Sequence, residues 1–266
     1  MGTVKTKGIV LMENNLGDYD KMLTILTPGL GKIRCAAKGA RRPKSLLMAG
    51  SQLLCFADYT LYKGGDTYNL NSCETIELFY NLRTDLDKYQ YAVHITKIIM
   101  DVTNENENCY RTLQLFLNTL YTMSETEKDL DFIVSVFKLR LMCILGFKPM
   151  VDRCVHCGID EDFKYFSLKD NGLKCSSCGK SDKSAIELSP ATVDAIRFIT
   201  TVPAKKLFSF NIPEDAQKEL AIVAKLYLNE KLEKEYKMES MFKIVIHMSR
   251  IFLCFFAVNA VGTDKL

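Results

Sequence analysis

The segment KMLTILTPGLGKIRCAAK, residues 21–38, decides how the first third of the chain folds. It contains two short apolar or alternating runs, and they are separated by the residues Pro28, Gly29, Leu30 and Gly31. Proline followed by glycine is a strong turn signal, and runs of this length and pattern indicate strands. The segment is therefore predicted to form a β-hairpin.

Three further runs of the same kind surround this hairpin, at residues 4–12, 52–62 and 67–78. The last two are separated by Gly64, Gly65 and Asp66, a turn sequence at hairpin spacing. Five strands within about 75 residues leave no room for crossover helices, and the common five-stranded antiparallel barrel is the OB-type barrel. Residues 1–80 are therefore predicted to form an OB-type β-barrel.

The hydrophobic pattern changes to a helical period after the barrel. Residues 81–104 and 108–125 carry apolar residues at helical spacing, and residues 129–147 are apolar on nearly all sides, as in a buried central helix. Ser189 and Pro190 form a helix start, Pro213 opens a helix through about Lys234, and residues 240–258 predict a last helix. The fold class is α+β, with a helical domain over residues 81–150 and 184–266.

The helical domain is interrupted at residues 151–183 by the stretch CVHCGIDEDFKYFSLKDNGLKCSSCGK, which runs from Cys154 to Lys180. Two Cys-x-x-Cys pairs with seventeen residues between them lie in the window expected for zinc ribbons. Four thiolates fill a tetrahedral shell and leave no open position, so one structural Zn²⁺ is predicted. The predicted ligands are Cys154, Cys157, Cys175 and Cys178, with His156 as a possible substitute. The aromatic residues Phe163, Tyr165 and Phe166 are available to pack the ribbon against the helices.

The other six cysteines have no partner at a meaningful spacing and are predicted to pack as small apolar residues. The N-terminal segment lacks the apolar core of a secretory signal, and the run from Ile251 to Val258 is shorter than the roughly 20 residues of a membrane span. A cytoplasmic protein without membrane contact or disulfides is therefore expected. These six cysteines are Cys35, Cys55, Cys73, Cys109, Cys143 and Cys254.

Positive charge is concentrated near the N-terminus, although the formal net charge is only +3. There is no carboxylate between Asp20 and Asp58, a window that holds seven lysines and arginines. Six of these cations form a patch suited to a sugar-phosphate backbone, while a solvated face that improves solubility is the alternative. The cations predicted to contact nucleic acid are Lys32, Arg34, Lys38, Arg41, Arg42 and Lys44. Candidate base-stacking residues, each equally consistent with packing, are Phe56, Tyr59, Tyr62 and Tyr68.

The sequence contains no arrangement typical of catalysis. Its three histidines have no obvious nucleophile partner, and its carboxylates are scattered over predicted helix surfaces. A non-enzymatic nucleic-acid-binding protein is therefore the leading hypothesis. The alternative is a zinc-containing nucleic-acid-modifying or metabolic enzyme, which would require an open metal position and an acid–base pair.

Two long segments resemble one known family. Residues 6–45, TKGIVLMENNLGDYDKMLTILTPGLGKIRCAAKGARRPKS, look like the opening barrel of the RecO family of bacterial DNA repair and recombination mediators. Residues 137–158, FKLRLMCILGFKPMVDRCVHCG, look like that family's junction between helix and ribbon. The resemblance implies an OB-type barrel, a helical domain and, in many members, a four-cysteine zinc ribbon.

The resemblance also implies a function and partners, and it implies that the same six N-terminal cations are DNA contacts. Such proteins bind single- and double-stranded DNA, anneal complementary strands, associate with RecR, and help RecA displace single-strand-binding protein, with a functional link to RecF. The cytoplasm and nucleoid are the implied location. The acidic, apolar-ended tail of single-strand-binding protein would bind the helical domain, and the candidate cations for it are Lys138, Arg140, Lys243 and Arg250.

Overall fold

The computed structural model describes residues 2–65 and 67–238, and its N-terminal part is a closed five-stranded barrel. The strand order around the barrel is β1-β2-β3-β5-β4, in which β3 and β5 pair in parallel and the other neighbours are antiparallel. This five-stranded arrangement confirms the predicted OB-type barrel. The strands are β1 Thr3–Leu16, β2 Asp20–Thr27, β3 Gly31–Ala37, β4 Phe56–Gly64 and β5 Thr67–Glu77.

The first strand buries residues on both of its faces. Val10 points into the barrel interior, where it joins a core with Leu23, Ile25 and Tyr59. Its neighbour Ile9 points outward and is fully buried against the helical domain. Because alternate residues of a strand face opposite sides, the barrel can fill its interior while lending an outer face to a second core.

Seven α-helices and one short 3₁₀ helix, Ala204–Lys206, follow the barrel in the described part of the chain. The stretch 81–104 does not form one helix but two, because the Asp85 carboxylate accepts a hydrogen bond from the Lys88 N–H at 3.0 Å and starts a new helix. Ser189 caps another start, followed by Pro190 as predicted. The predicted helix at 240–258 lies outside the described residues. The helices are α1 Tyr80–Thr84, α2 Leu86–Val102, α3 Tyr110–Glu125, α4 Leu130–Ile144, α5 Ser176–Lys180, α6 Pro190–Thr201 and α7 Glu214–Lys231.

The barrel is fixed to the helices through the turn between β2 and β3. The Lys32 N–H donates to the Asn104 carbonyl at 2.9 Å, and the Cys109 N–H donates to the Pro28 carbonyl at 2.9 Å. Gly31 has a φ of 69°, and a Cβ there would overlap the Asn104 carbonyl oxygen. The backbone of the turn therefore approaches the α2–α3 connection as closely as glycine alone permits.

The cysteine segment forms a small three-stranded sheet with the order β7-β6-β8. Its strands are β6 Phe163–Ser167, β7 Gly172–Cys175 and β8 Ile186–Glu187. The sheet thus extends past residue 183, the predicted end of the ribbon. Phe166 is fully buried, and its ring meets the Tyr227 ring of α7 edge to face at 5.4 Å, which secures the sheet to the helical core.

The scattered cysteines within the described residues lie in or beside the cores. Cys35, Cys55 and Cys109 are buried, and Cys73 and Cys143 are half-buried. Burial raises the pKa of the Cys35 thiol to about 12 and that of Cys55 to about 11. These thiols are therefore protonated and unreactive at neutral pH. Cys254 lies outside the described residues.

Candidate nucleic-acid interface and metal centre

The structure brings the two Cys-x-x-Cys pairs together. The sulfur atoms of Cys154, Cys157, Cys175 and Cys178 all lie within 4.8 Å of one another. Cys154 and Cys157 occupy the loop before β6, while Cys175 ends β7 and Cys178 lies in the short helix α5. This is the donor set and the crowding expected of a closed tetrahedral site for a thiophilic ion.

The electrostatics of the four sulfur atoms favour a bound cation. Burial opposes ionisation of Cys154, but backbone N–H donors, that of Cys157 first, lower the pKa of its thiol to about 6. Burial and the neighbouring sulfur of Cys175 raise the pKa of Cys178 to about 12. A metal ion among the four sulfur atoms would supply a positive charge that stabilises their thiolate forms.

The two glycines that follow the cysteine pairs serve different purposes. Gly158 has a φ of 80°, a left-handed conformation in which its N–H donates to the Cys154 carbonyl at 2.9 Å. Gly179 lies in helix α5, and a Cβ there would overlap the ring of Tyr165. The first glycine is required by backbone conformation and the second by close packing.

An ion-pair network around the buried Lys174 lies beside the four cysteines in the sequence of the ribbon. Lys174, 5% exposed, donates to the Asp170 carboxylate at 2.6 Å and to the Asp182 carboxylate at 2.7 Å. Hydrogen bonds from Lys174 lower the pKa of both carboxyl groups. The network joins the β6–β7 turn to the segment after α5, so it holds the Cys175 and Cys178 ends of the ribbon in place.

The six predicted DNA-contacting cations occupy three different environments. Arg34 on β3, and Lys38, Arg42 and Lys44 in the β3–β4 loop, are exposed to solvent. The Lys32 ammonium instead donates to the Met100 carbonyl near the end of α2, where the helix dipole favours a cation. Lys32 therefore fastens the barrel to the helical domain, which strand alternation alone could not reveal.

Arg41 also makes an internal contact. Its Nη1 donates to the Gly17 carbonyl at 2.9 Å, and its backbone N–H donates to the Tyr19 carbonyl at 2.9 Å. These bonds connect the β3–β4 loop with the β1–β2 hairpin. Arg42, the next residue, places its guanidinium carbon 5.4 Å from the centre of the Tyr19 ring.

Most of the candidate base-stacking residues pack inside the protein. Tyr59 is 1% exposed, and its hydroxyl donates to the Gly50 carbonyl at 2.8 Å inside the barrel. Tyr68 is buried in the same core, and Phe56 packs against the helical domain. Tyr62 is exposed. Tyr19, an exposed aromatic residue at the tip of the first hairpin, is not among the candidates predicted from the sequence, because it lies between the predicted strands.

Two of the candidate cations of the helical domain are held within the fold. Arg140 on α4 donates to the carbonyls of Ile199 and Val202 at 2.9 and 2.8 Å, and so caps the end of α6. Burial lowers the pKa of Lys138 to about 8, which leaves it mostly protonated at pH 7. Lys243 and Arg250 lie outside the described residues.

Two further features bear on the class of protein. Within residues 2–65 and 67–238, the four-cysteine group is the one cluster able to hold a metal ion, and no helix there combines the length and apolar character needed to cross a bilayer. The fold and site therefore define a class of protein in which an OB-type barrel with a basic edge is joined to a helical domain carrying a four-cysteine centre.

Comparison with known proteins gives the family. Residues 1–79 match the family model described as Recombination protein O N terminal, and residues 83–239 match Recombination protein O C terminal. The chain belongs to the RecO family, which confirms the resemblance drawn from its two motifs.

Several relatives cover nearly the whole chain. The DNA repair protein RecO of Acetivibrio thermocellus is 44% identical over 237 residues, which is 89% of this chain and 94% of that relative. The DNA repair protein RecO of Alkaliphilus metalliredigens is 35% identical over 249 residues, 93% of this chain and 95% of that relative. The RecO of a Thermoanaerobacter species is 32% identical over 237 residues, 89% and 96% of the two chains.

Proposed function

We propose that this chain is a non-enzymatic mediator of recombinational DNA repair, which binds DNA through its barrel and anneals complementary single strands. The observation that carries the proposal is the exposed basic edge of the barrel. Arg34, Lys38, Arg42 and Lys44 project into solvent from a segment without carboxylates. Cations arranged in this way neutralise phosphates without reading base sequence, as annealing of arbitrary strands requires.

The annealing proposal includes partners. The names of the relatives, DNA repair protein RecO, support a role in repair. RecR, RecF and RecA are the expected protein partners, and the tail of single-strand-binding protein would bind the helical domain near Lys138. A cytoplasmic, nucleoid-associated location follows from DNA as the substrate. The proposed domains are the barrel 1–80, the helical domain 81–150 and 184–266, and the ribbon 151–183, whose sheet also takes up β8 from the segment that follows.

We further propose that the four-cysteine centre holds one Zn²⁺ with a structural role. Zinc prefers tetrahedral thiolate sites, and four protein ligands leave no position for water or substrate. The alternative, a zinc enzyme, requires such a position. No observation in the described part of the chain favours that alternative over the mediator.

The decisive experiment is annealing of complementary oligonucleotides coated with single-strand-binding protein, without nucleotide. The double variant Arg34→Gln, Arg42→Gln should slow annealing about tenfold, because two phosphate contacts are lost. The control Lys205→Gln, Lys206→Gln removes the same charge from exposed lysines of the helical domain and should leave the rate unchanged. Absence of annealing by the unmodified chain, or equal loss in the two double variants, would reject the proposal.

A further inference from the structure

We propose that the tip of the β1–β2 hairpin and the β3–β4 loop form a single site that stacks unpaired bases, with Tyr19 and Leu46 as its contact residues. The inference rests on the proposed DNA-binding function and deepens it. It assigns to this site the distinction between single strands and duplex, which phosphate contacts alone do not make.

The two loops are joined into one rigid surface. Arg41 bonds the hairpin twice, through its backbone N–H to Tyr19 and through its guanidinium to Gly17. The Gly39 N–H donates to the Asp20 carboxylate at 2.7 Å, which adds a third connection. A surface that is ordered before binding loses less conformational entropy when a ligand occupies it.

Tyr19 is placed to receive a base. Half of its surface, 51%, is exposed, although the Arg42 guanidinium lies 5.4 Å from the ring centre. Oligonucleotides bind OB-type barrels along β2 and β3 and at the loop between β1 and β2, where Tyr19 lies. An exposed ring beside a guanidinium offers a base both stacking and a cation.

Leu46 supplies an apolar tip on the β3–β4 loop, which is bonded to the hairpin at Gly39 and Arg41. It is 93% exposed, whereas the adjacent Leu47 packs against the barrel core and anchors the loop. The loop is held by turns in which the Ser45 N–H donates to the Arg42 carbonyl at 3.0 Å and the Met48 N–H donates to the Ser45 carbonyl at 3.2 Å. An aliphatic side chain at the end of an ordered basic loop can insert between bases that are not paired.

The surrounding charge selects nucleic acid as the occupant. Lys38 and Lys44 are exposed on the same loop, and no carboxylate occurs from residue 21 to residue 57. On the hairpin, the Asp20 carboxylate accepts a hydrogen bond from the Gly39 N–H, and Asp18 is exposed at the tip. Apolar and aromatic side chains within a cationic rim match a ligand with flat apolar groups on a polyanionic backbone.

The test measures binding of a fluorescent thymidine oligonucleotide and of a labelled duplex by the full chain and its variants. Tyr19→Ala should weaken single-strand binding about tenfold and change duplex binding less than about twofold, because paired bases keep their faces covered. Tyr19→Phe should retain single-strand affinity, since stacking does not need the hydroxyl. Leu46→Ser, a change at a fully solvated side chain, should weaken single-strand binding about threefold.

The matched control is Tyr121→Ala, an exposed tyrosine on α3 that should change neither affinity. Unchanged single-strand binding by both Tyr19→Ala and Leu46→Ser overturns this inference while the DNA-binding function stands. Equal loss of single-strand and duplex binding also overturns it. If Tyr19→Ala weakened binding of an acidic, apolar-ended peptide instead, the site would be a protein-binding surface. Failure of the unmodified chain to bind any DNA would reject the proposed function itself.

Discussion

The adjacent residues Arg41 and Arg42 are both arginines, but they have different contacts. The Arg41 guanidinium hydrogen-bonds the Gly17 carbonyl, whereas the Arg42 guanidinium lies over the exposed ring of Tyr19. A basic dipeptide therefore contains one residue that positions the loop and one that faces the solvent. Charge counting along the sequence could not separate them, because the difference depends on a hairpin more than twenty residues earlier.

This division predicts that one substitution changes DNA binding and the other changes stability. Arg42→Gln should leave the melting temperature unchanged and reduce the slope of log affinity against log salt by about 0.7, the value for one lost phosphate contact on a single strand. Arg41→Gln should lower stability by about 1 kcal/mol, because the bond to Gly17 is lost. Thermal melting and salt titrations measure the two effects. A larger melting change for Arg42→Gln than for Arg41→Gln would contradict the assignment.

His94 on α2 carries a pH dependence. Burial, with Lys138 and Lys97 nearby, lowers its pKa to about 4 from the ordinary 6.5. The unfolded chain therefore binds a proton between these values that the folded chain does not, and stability falls as the pH drops through this window. The contribution is fully present above pH 6.5, and about 2 kcal/mol of it is lost between pH 7 and pH 5.

His94→Gln should remove this part of the pH dependence. Urea unfolding at pH 7 and pH 5 measures it as the difference between the variant and the unmodified chain, which cancels the contribution of the cysteine centre. The variant should lose about 2 kcal/mol less than the unmodified chain on acidification. Parallel loss of stability in the two proteins would show that His94 is not the titrating group.

At the scale of elements, the turn between β2 and β3 determines how the barrel is attached. Gly31→Ala would place a Cβ against the Asn104 carbonyl oxygen and force a left-handed φ of 69° on an alanine. The expected cost is more than about 2 kcal/mol, with a melting temperature lower by several degrees. Gly29→Ala is the matched control in the same turn, because nothing lies within 4 Å of its added Cβ. Similar melting of the two variants would contradict the tight docking.

The elements that local signals specify were predictable from the sequence. The turn at Pro28, the cap at Ser189 and the spacing of the four cysteines each predicted what the structure shows, because neighbouring residues determine these features. The break at Asp85 was not predicted, since the apolar pattern continues through it. The internal bond of Lys32 and the exposed ring of Tyr19 were not predicted, because both depend on elements distant in sequence, about which local periodicity gives no information.

At the scale of the whole molecule, the barrel and the helical domain share one core. Ile9 and Leu26, on the outer face of the barrel, are fully buried in the same cluster as the central residues of α4. A barrel cut away from the helices would expose this face to water, at roughly 1.5–3 kcal/mol for each large side chain. DNA binding should therefore be measured on the intact chain, and the helical domain acts as a structural support for the barrel.

The four-cysteine centre lies in the ribbon, apart from the barrel. Removal of its proposed metal ion should lower the stability of the chain and leave its DNA affinity nearly unchanged. Without the proposed ion, the four thiols of the ribbon would lack the metal bonds that order a segment with little core of its own. The Phe166–Tyr227 contact then loses its support, so α7 and the helical domain should be destabilised. The basic edge and the Tyr19 ring belong to the barrel, whereas the four cysteines belong to the ribbon.

Cys175→Ser, Cys178→Ser should therefore abolish stoichiometric metal and lower the melting temperature by more than about 5 °C, while single-strand affinity measured below the transition changes less than about twofold. Cys143→Ser is the matched control, because this half-buried cysteine of α4 is not among the four clustered thiols. It should retain one metal ion per chain. Loss of DNA affinity in proportion to metal loss would show instead that the ribbon takes part in binding DNA, since the barrel alone would then not account for the interaction.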